Sequence, residues 1–179
     1  LKEEGKILNL GVSVEKIEEA IKAIEYDNVT TVQLVYNIFR QRPREKFFSM
    51  AAEKNIGLII RIPLASGLLT GKFGPDTRFA PGDHRFFNRG GMFFDKGETF
   101  AGVPYDAGLR AVSRLKELFP ESTRLAHVAL NWILINGEVS CIIPGASSPG
   151  QVRSNLEALT FPGFTEEQKR AITAIYEED

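Results

Sequence analysis

The sequence is poor in the residues that build covalent or metal-bound frameworks. Its 179 residues include one cysteine, Cys141, and two histidines, His84 and His127. A lone cysteine excludes an internal disulfide framework. With so few thiols and imidazoles a zinc site is not expected, and no metal is assigned. Charge of one sign is missing too: 22 basic residues against 23 acidic give a net charge of -1. That balance offers no electrostatic reason for nucleic acid or an anionic membrane as partner. No apolar run approaches the ~20 residues of a membrane-spanning helix. The charged start, Leu1-Lys2-Glu3-Glu4, has no signal-type apolar core after it. A cytoplasmic location is the expectation, and the start at Leu1 suggests a fragment or a processed chain.

What remains is a patterned globular sequence, 43% hydrophobic and 25% charged, as soluble domains usually are. Ile7, Leu8, Leu10 and Val12 predict a buried strand. Ile17, Ala20, Ile21 and Ile24 recur at helical spacing and predict a helix over residues 15–26. Thr31 to Tyr36 is rich in β-formers and predicts a second strand. A helix is expected over 44–54, a third strand over 56–62, helices over 105–118 and 123–135, and a fourth strand over 139–143. Helices from Pro149 and from a Thr165-Glu166-Glu167-Gln168 capping box complete the chain. Residues 73–103 form one long loop with seven phenylalanines and six glycines. Such a loop is either a lid or a cover for the end of the fold. Cys141 is expected in the core and His127 as a packed or half-exposed structural residue of a helix; His84 fits the surface first, and a lid or a substrate contact second.

The order β-α-β-α-β-(loop, α, α)-β-α-α predicts an α/β protein with parallel strands and crossover helices. Two architectures fit: part of a (β/α)8 barrel, or a small doubly wound sheet. The Gly-x-Gly-x-x-Gly of the doubly wound dinucleotide fold is absent after the first strand. Gly67 to Lys72 has the wrong spacing for a phosphate loop, and neither His-Glu-x-x-His nor Gly-x-Ser-x-Gly occurs.

Five stretches, in order, resemble the aldo-keto reductase family: Gly5-Lys6-Ile7 to Gly11-Val12-Ser13; Val32-Gln33-Leu34-Val35-Tyr36-Asn37; Pro63 through Lys72; Ala129-Leu130-Asn131-Trp132; and Ile142-Ile143-Pro144-Gly145-Ala146 with Gln151, Val152 and Asn155. The resemblance implies the C-terminal half of a (β/α)8 barrel, a single partial domain over 1–179 that binds NADPH, or NADH, without a Rossmann motif. It implies that Ser13 and Gln33 hold the nicotinamide carboxamide. Pro63, Leu64, Ala65, Ser66 and Gly67 wrap the pyrophosphate, with Lys72 and Arg78 supplying positive charge. Gly145, Ser147, Gln151 and Asn155 hold the adenosine end.

Two departures stand out. Val14 replaces the family's usual asparagine, removing an amide contact worth ~1 kcal/mol. Arg61 stands where the family often stacks an aromatic ring on the nicotinamide. A guanidinium also stacks on flat rings, yet a cation beside the oxidised ring is unfavourable. The competing reading makes Arg61 a barrel-end residue paired with a carboxylate. The family's catalytic Asp, Tyr, Lys and His precede the Gly-Val-Ser segment, so no catalytic residue is assigned within this chain. The implied function is reduction of small aldehydes or ketones, or oxidation of alcohols, by a parent protein whose N-terminal barrel half is required. The alternatives are a non-catalytic cofactor-binding relative, as in the potassium-channel β-subunit branch, and a half-barrel interaction module.

Overall fold

The computed structural model describes residues 1–178, with side-chain surroundings for residues 1–177. Its four strands are β1 (Leu10–Ser13), β2 (Val29–Val35), β3 (Gly57–Arg61) and β4 (Val139–Ile142). All pair parallel in the order β1-β2-β3-β4. That order decides between the two architectures. A doubly wound sheet reverses its strand order at a switch point, whereas a barrel lays each strand beside the last. The fold is α/β, a partial (β/α)8 barrel.

The connecting helices are α1 (Ile17–Ala23), α2 (Ser49–Glu53), α3 (His84–Phe87), α4 (Tyr105–Glu117), α5 (Leu125–Leu134), α6 (Pro149–Glu157) and α7 (Glu166–Glu178). The expected 44–54 helix is interrupted: a π-helical turn over Arg44–Phe48 precedes α2. This wider turn sets Phe47 and Phe48 together into the core. At the start of α7 the Thr165 hydroxyl accepts from the Gln168 amide at 3.1 Å, and Gln168 Oε1 accepts from the Thr165 amide at 3.0 Å. The capping box forms as the sequence predicts.

The two faces of the sheet differ. Val32 pairs in register with Leu58, and Leu34 with Ile60. These four are buried beneath the helices. The next row across the sheet is Ser13, Gln33, Ile59 and Cys141, and none of its members is buried. Strands β1 and β4 are edges. The expected buried strand from Ile7 is therefore corrected: pairing starts at Leu10, and Leu8 is 83% exposed. Cys141 is likewise exposed instead of core, because β4 has a neighbour on one side only.

The aromatic loop is ordered by polar groups. Asn88 is fully buried. Its Oδ1 accepts from the amides of Phe93 and Phe94, and its Nδ2 donates to the Phe94 carbonyl and the Thr99 hydroxyl. Arg85 lies 4.7 Å from the ring centre of Phe79, and Arg89 lies 4.7 Å from that of Tyr105, both within cation–π range. Asp83 caps α3 by accepting from the Arg85 amide and binds the Arg85 guanidinium at 2.5 Å.

Two outcomes follow from this loop. Asn88→Ala removes the side chain that binds the Phe93 and Phe94 backbone and the Thr99 hydroxyl, each bond worth ~1 kcal/mol. It should open residues 88–99 to protease far faster than the parent, while the sheet's circular dichroism persists. Equal cleavage rates would count against the scaffold role. The second concerns acid. The Arg85 guanidinium hydrogen-bonding to Asp83 lowers that carboxyl from 3.8 to about 2. A depressed carboxyl stabilises the folded loop above its unfolded pKa, and this contribution fades as pH falls from about 4 through about 2. Loop protection in hydrogen exchange should decline across that window, and Asp83→Asn should flatten the decline.

Candidate functional site

The site begins where β3 ends. Ile62 follows Arg61 with φ at 53°, and Ala65, Ser66 and Gly67 take φ of 47°, 55° and 93°. A left-handed β-branched residue is a genuine backbone outlier, of the kind that clusters at functional sites. Neighbours hold the kink. The fully buried Asn37 donates from Nδ2 to the Ile62 carbonyl at 2.9 Å. Ala65, Leu68 and Leu69 are fully buried anchors on the inner side. Gly67 is required for space as well as for its φ, since a Cβ there would lie 3.0 Å from the Phe73 ring.

The kinked segment forms one lip of a cleft of about 1780 Å³. Pro63, Leu64, Ser66, Gly67 and Lys72 lie on this lip, and Gly145, Gln151 and Asn155 lie opposite. Eight of the expected cofactor residues thus meet in one cavity. Others do not line it. Ala65 is buried behind the lip, and Arg78 is exposed outside the cleft. Ser147 sits at its margin, with its amide and hydroxyl both donating to Gln151 Oε1, at 2.6 and 3.0 Å. Ser148 caps α6 by accepting from the Gln151 amide. Ser13, Gln33 and Arg61 are elsewhere, on the open sheet face. Ser13 and Gln33 are direct register partners, and Arg61 lies two positions beyond Ile59 in the same alternation. Gln33 is inside β2, not at its end.

Arg61 is engaged. Its Nη1 is ion-paired with Glu98 and its Nη2 donates to the Val14 carbonyl at 2.9 Å. Its Nε is buried and has no partner. The carboxylate-paired reading of Arg61 therefore describes its contacts, and the carboxylate comes from the loop. Ser66 faces the same loop: its Oγ donates to the Glu98 carbonyl at 3.0 Å and accepts from the Phe100 amide at 3.2 Å.

The loop also brings residues that were not assigned from the sequence. His84 is 42% exposed and lines the cleft, with Nε2 3.4 Å from Ser66 Oγ, so it is at the surface and at the site together. Arg85 and Glu98 line it too. The charged run Asp83-His84-Arg85 inside an aromatic segment was the available signal. Lys116, on α4, donates to the Gly71 carbonyl at 2.7 Å, and Arg124 is paired with Glu157 at 2.7 Å. Lys72 has no acidic partner among the described residues. His127 is packed against α6, 3.2 Å from Ser154 Oγ, as expected of a structural histidine.

Other chemistry finds no support. Tyr36 is fully buried against Trp132 and Phe48, and burial pushes its hydroxyl far above the usual range. Among the described residues no cluster of three or more His, Cys, Asp or Glu could hold a metal. No helix among them is long and apolar enough to cross a membrane.

The Aldo/keto reductase family profile matches residues 1–177. The chain is 25% identical over its full length to an uncharacterized oxidoreductase, YqkF, of Bacillus subtilis, covering 53% of that protein. It is 32% identical to a probable voltage-gated potassium channel subunit beta of Arabidopsis thaliana, over 69% of this chain and 36% of that one. Among solved structures it resembles the glycerol dehydrogenase AKR11B4 from Gluconobacter oxydans, with TM-score 0.74 and 28% identity over 99% of this chain and 51% of that one. The holo form of aldo-keto reductase AKR11C1 from Bacillus halodurans gives TM-score 0.69 and 26% identity, over 98% of this chain and 52% of that one. The chain spans about half the length of the relatives it matches across its own full length. With four parallel strands, a kinked lip after β3 and a profile match across the chain, this protein belongs to the aldo-keto reductase family, a superfamily of NAD(P)H-dependent oxidoreductases.

Proposed function

We propose that this chain is the cofactor-holding half of an NAD(P)H-dependent oxidoreductase that interconverts small aldehydes or ketones with alcohols. The observation that carries the reading is the single cleft joining the 63–72 lip to the 145–155 segment. At about 1780 Å³ it exceeds the ~300–1,000 Å³ of ordinary small-ligand pockets. Such length suits a dinucleotide. The left-handed turn and the missing side chain of Gly67 let backbone amides approach phosphate oxygens. Lys72 on the lip, and Arg78 from outside the cleft, add charge. Gly145, Ser147, Gln151 and Asn155 take the adenosine end, and Ser13 with Gln33 takes the carboxamide. When bound, the nicotinamide supplies or accepts the hydride. This chain's residues fix where it lies and exclude water; the proton donor is contributed by the N-terminal barrel half, and the location is cytoplasmic.

A second reading, a cofactor-binding subunit without turnover, draws on the two plant channel β-subunits at 32% and 31% identity. Both readings require the cofactor, and only the first requires chemistry.

Two measurements test the proposal. In the protein assembled with its N-terminal half, fluorescence titration should give tighter binding for NADPH than for NADH, because Lys72, Arg78 and Arg153, the last exposed on α6, supply charge for the extra phosphate. Gln33→Ala should weaken NADPH binding about fivefold, the value of one lost hydrogen bond of ~1 kcal/mol. Unchanged affinity would make Gln33 a plain sheet residue. NADPH oxidation with an aldehyde panel should then show turnover in the assembled protein and none in this chain alone, since reduction of a carbonyl needs a positioned acid. Steady turnover by the isolated chain would place the acid within it and overturn the division of labour.

A further inference from the structure

We infer that Glu98 sets the redox preference of the bound cofactor, by cancelling the charge that Arg61 presents to the nicotinamide end of the site. The inference rests on the dinucleotide reading above. Phosphates over residues 63–67 and a carboxamide at Ser13 and Gln33 leave the ring between them. Arg61 occupies that interval: it immediately precedes the kinked lip, and it alternates onto the sheet face that carries Gln33 and Ile59.

The guanidinium is fixed in place. Its side chain is 15% exposed, one nitrogen donates to the Val14 carbonyl beside Ser13, and another is held by Glu98. Among the described residues Glu98 is the carboxylate that pairs with it. Glu98 is itself 22% exposed and sits on a short turn over Lys96–Glu98. That turn is capped by Asp95, which accepts from the Gly97 amide at 2.7 Å and lies 3.7 Å from Arg40. Asp95 and Glu98 therefore each meet an arginine, and each of these two pairs is neutral.

An oxidised nicotinamide ring is a cation and a reduced one is neutral, so a fixed neighbouring charge acts on one form and spares the other. With Glu98 present, the charge of Arg61 is paired and does not repel the oxidised ring. With Glu98 neutralised, an unpaired and mostly buried cation disfavours the oxidised form. With Arg61 neutralised, the remaining carboxylate favours it. The sign reversal between the two variants separates this role from mere support of the loop, whose loss would weaken both forms together.

The test is calorimetric titration of NADP+ and NADPH, each alone, into the protein assembled with its N-terminal half. Glu98→Gln should raise the ratio of the NADP+ to the NADPH dissociation constant about tenfold. Arg61→Met should lower that ratio, and the double variant should return it toward the parent value whatever its absolute affinities. Ratios unchanged in both single variants, or shifted in the same direction, overturn the inference. Failure of the parent to bind either form instead removes the dinucleotide reading itself, and this inference falls with it.

Discussion

The left-handed backbone at Ile62 is the constraint on which the site depends. A non-glycine residue held there costs ~1–3 kcal/mol, and Ile62, being β-branched, is a poor occupant of it. The kink persists because it is over-determined. Asn37, two residues past the end of β2, binds the Ile62 carbonyl, and Leu68 and Leu69 sit fully buried just beyond. The chain leaving β3 is therefore turned across the sheet end, which puts the 63–67 backbone at the cleft's edge and leaves Arg61 behind it on the open face. Relaxing Ile62 to extended geometry would carry the lip away from Gly145 and Asn155 and dissolve the cleft.

The aromatic loop is tied to the same kink. Ser66, itself left-handed, holds the Glu98 carbonyl and the Phe100 amide. Phe100 and Ala101 are in turn left-handed, at 52° and 58°. Two strained segments thus face one another, joined by a hydroxyl and by the Arg61–Glu98 pair. The phenylalanines supply bulk around this joint, with Phe79 near both Phe73 and Phe100. Asn88 orders the rest of the loop. A segment rich in glycine keeps a definite shape here because buried polar groups, and not regular elements, satisfy its backbone.

Much of this was legible in the sequence. The approximate places of the four strands and of α1, α4, α5 and α6 follow from β-branched runs and helical spacing, and the capping box at Thr165 located the start of α7 directly. The lip and the 145–155 segment were found through a family pattern that carries its own spacing. Three kinds of fact were not legible. A positive φ at Ile62 leaves no mark, because isoleucine before proline reads as extended. The partner of Arg61 is 37 residues away, and no local pattern encodes such a pairing. Exposure at Leu8 and Cys141 depends on what lies beyond the sheet edges, which alternation of apolar residues cannot report.

The open face of the sheet sharpens the last point. A closed barrel fills its interior with bulky branched side chains in layers. The row that would face inward here is Ser13, Gln33, Ile59 and Cys141, with one large aliphatic residue among four. Half of such a barrel would expose an apolar face, whereas the face seen here is mixed and partly polar. A bulky inner layer would pack against its counterpart and leave no room at the strand ends, whereas small and polar residues leave space there. The inner wall of this half thus leaves space at the strand ends, and the burial that stabilises the chain lies mainly on the helix side, at Val32, Leu34, Leu58 and Ile60.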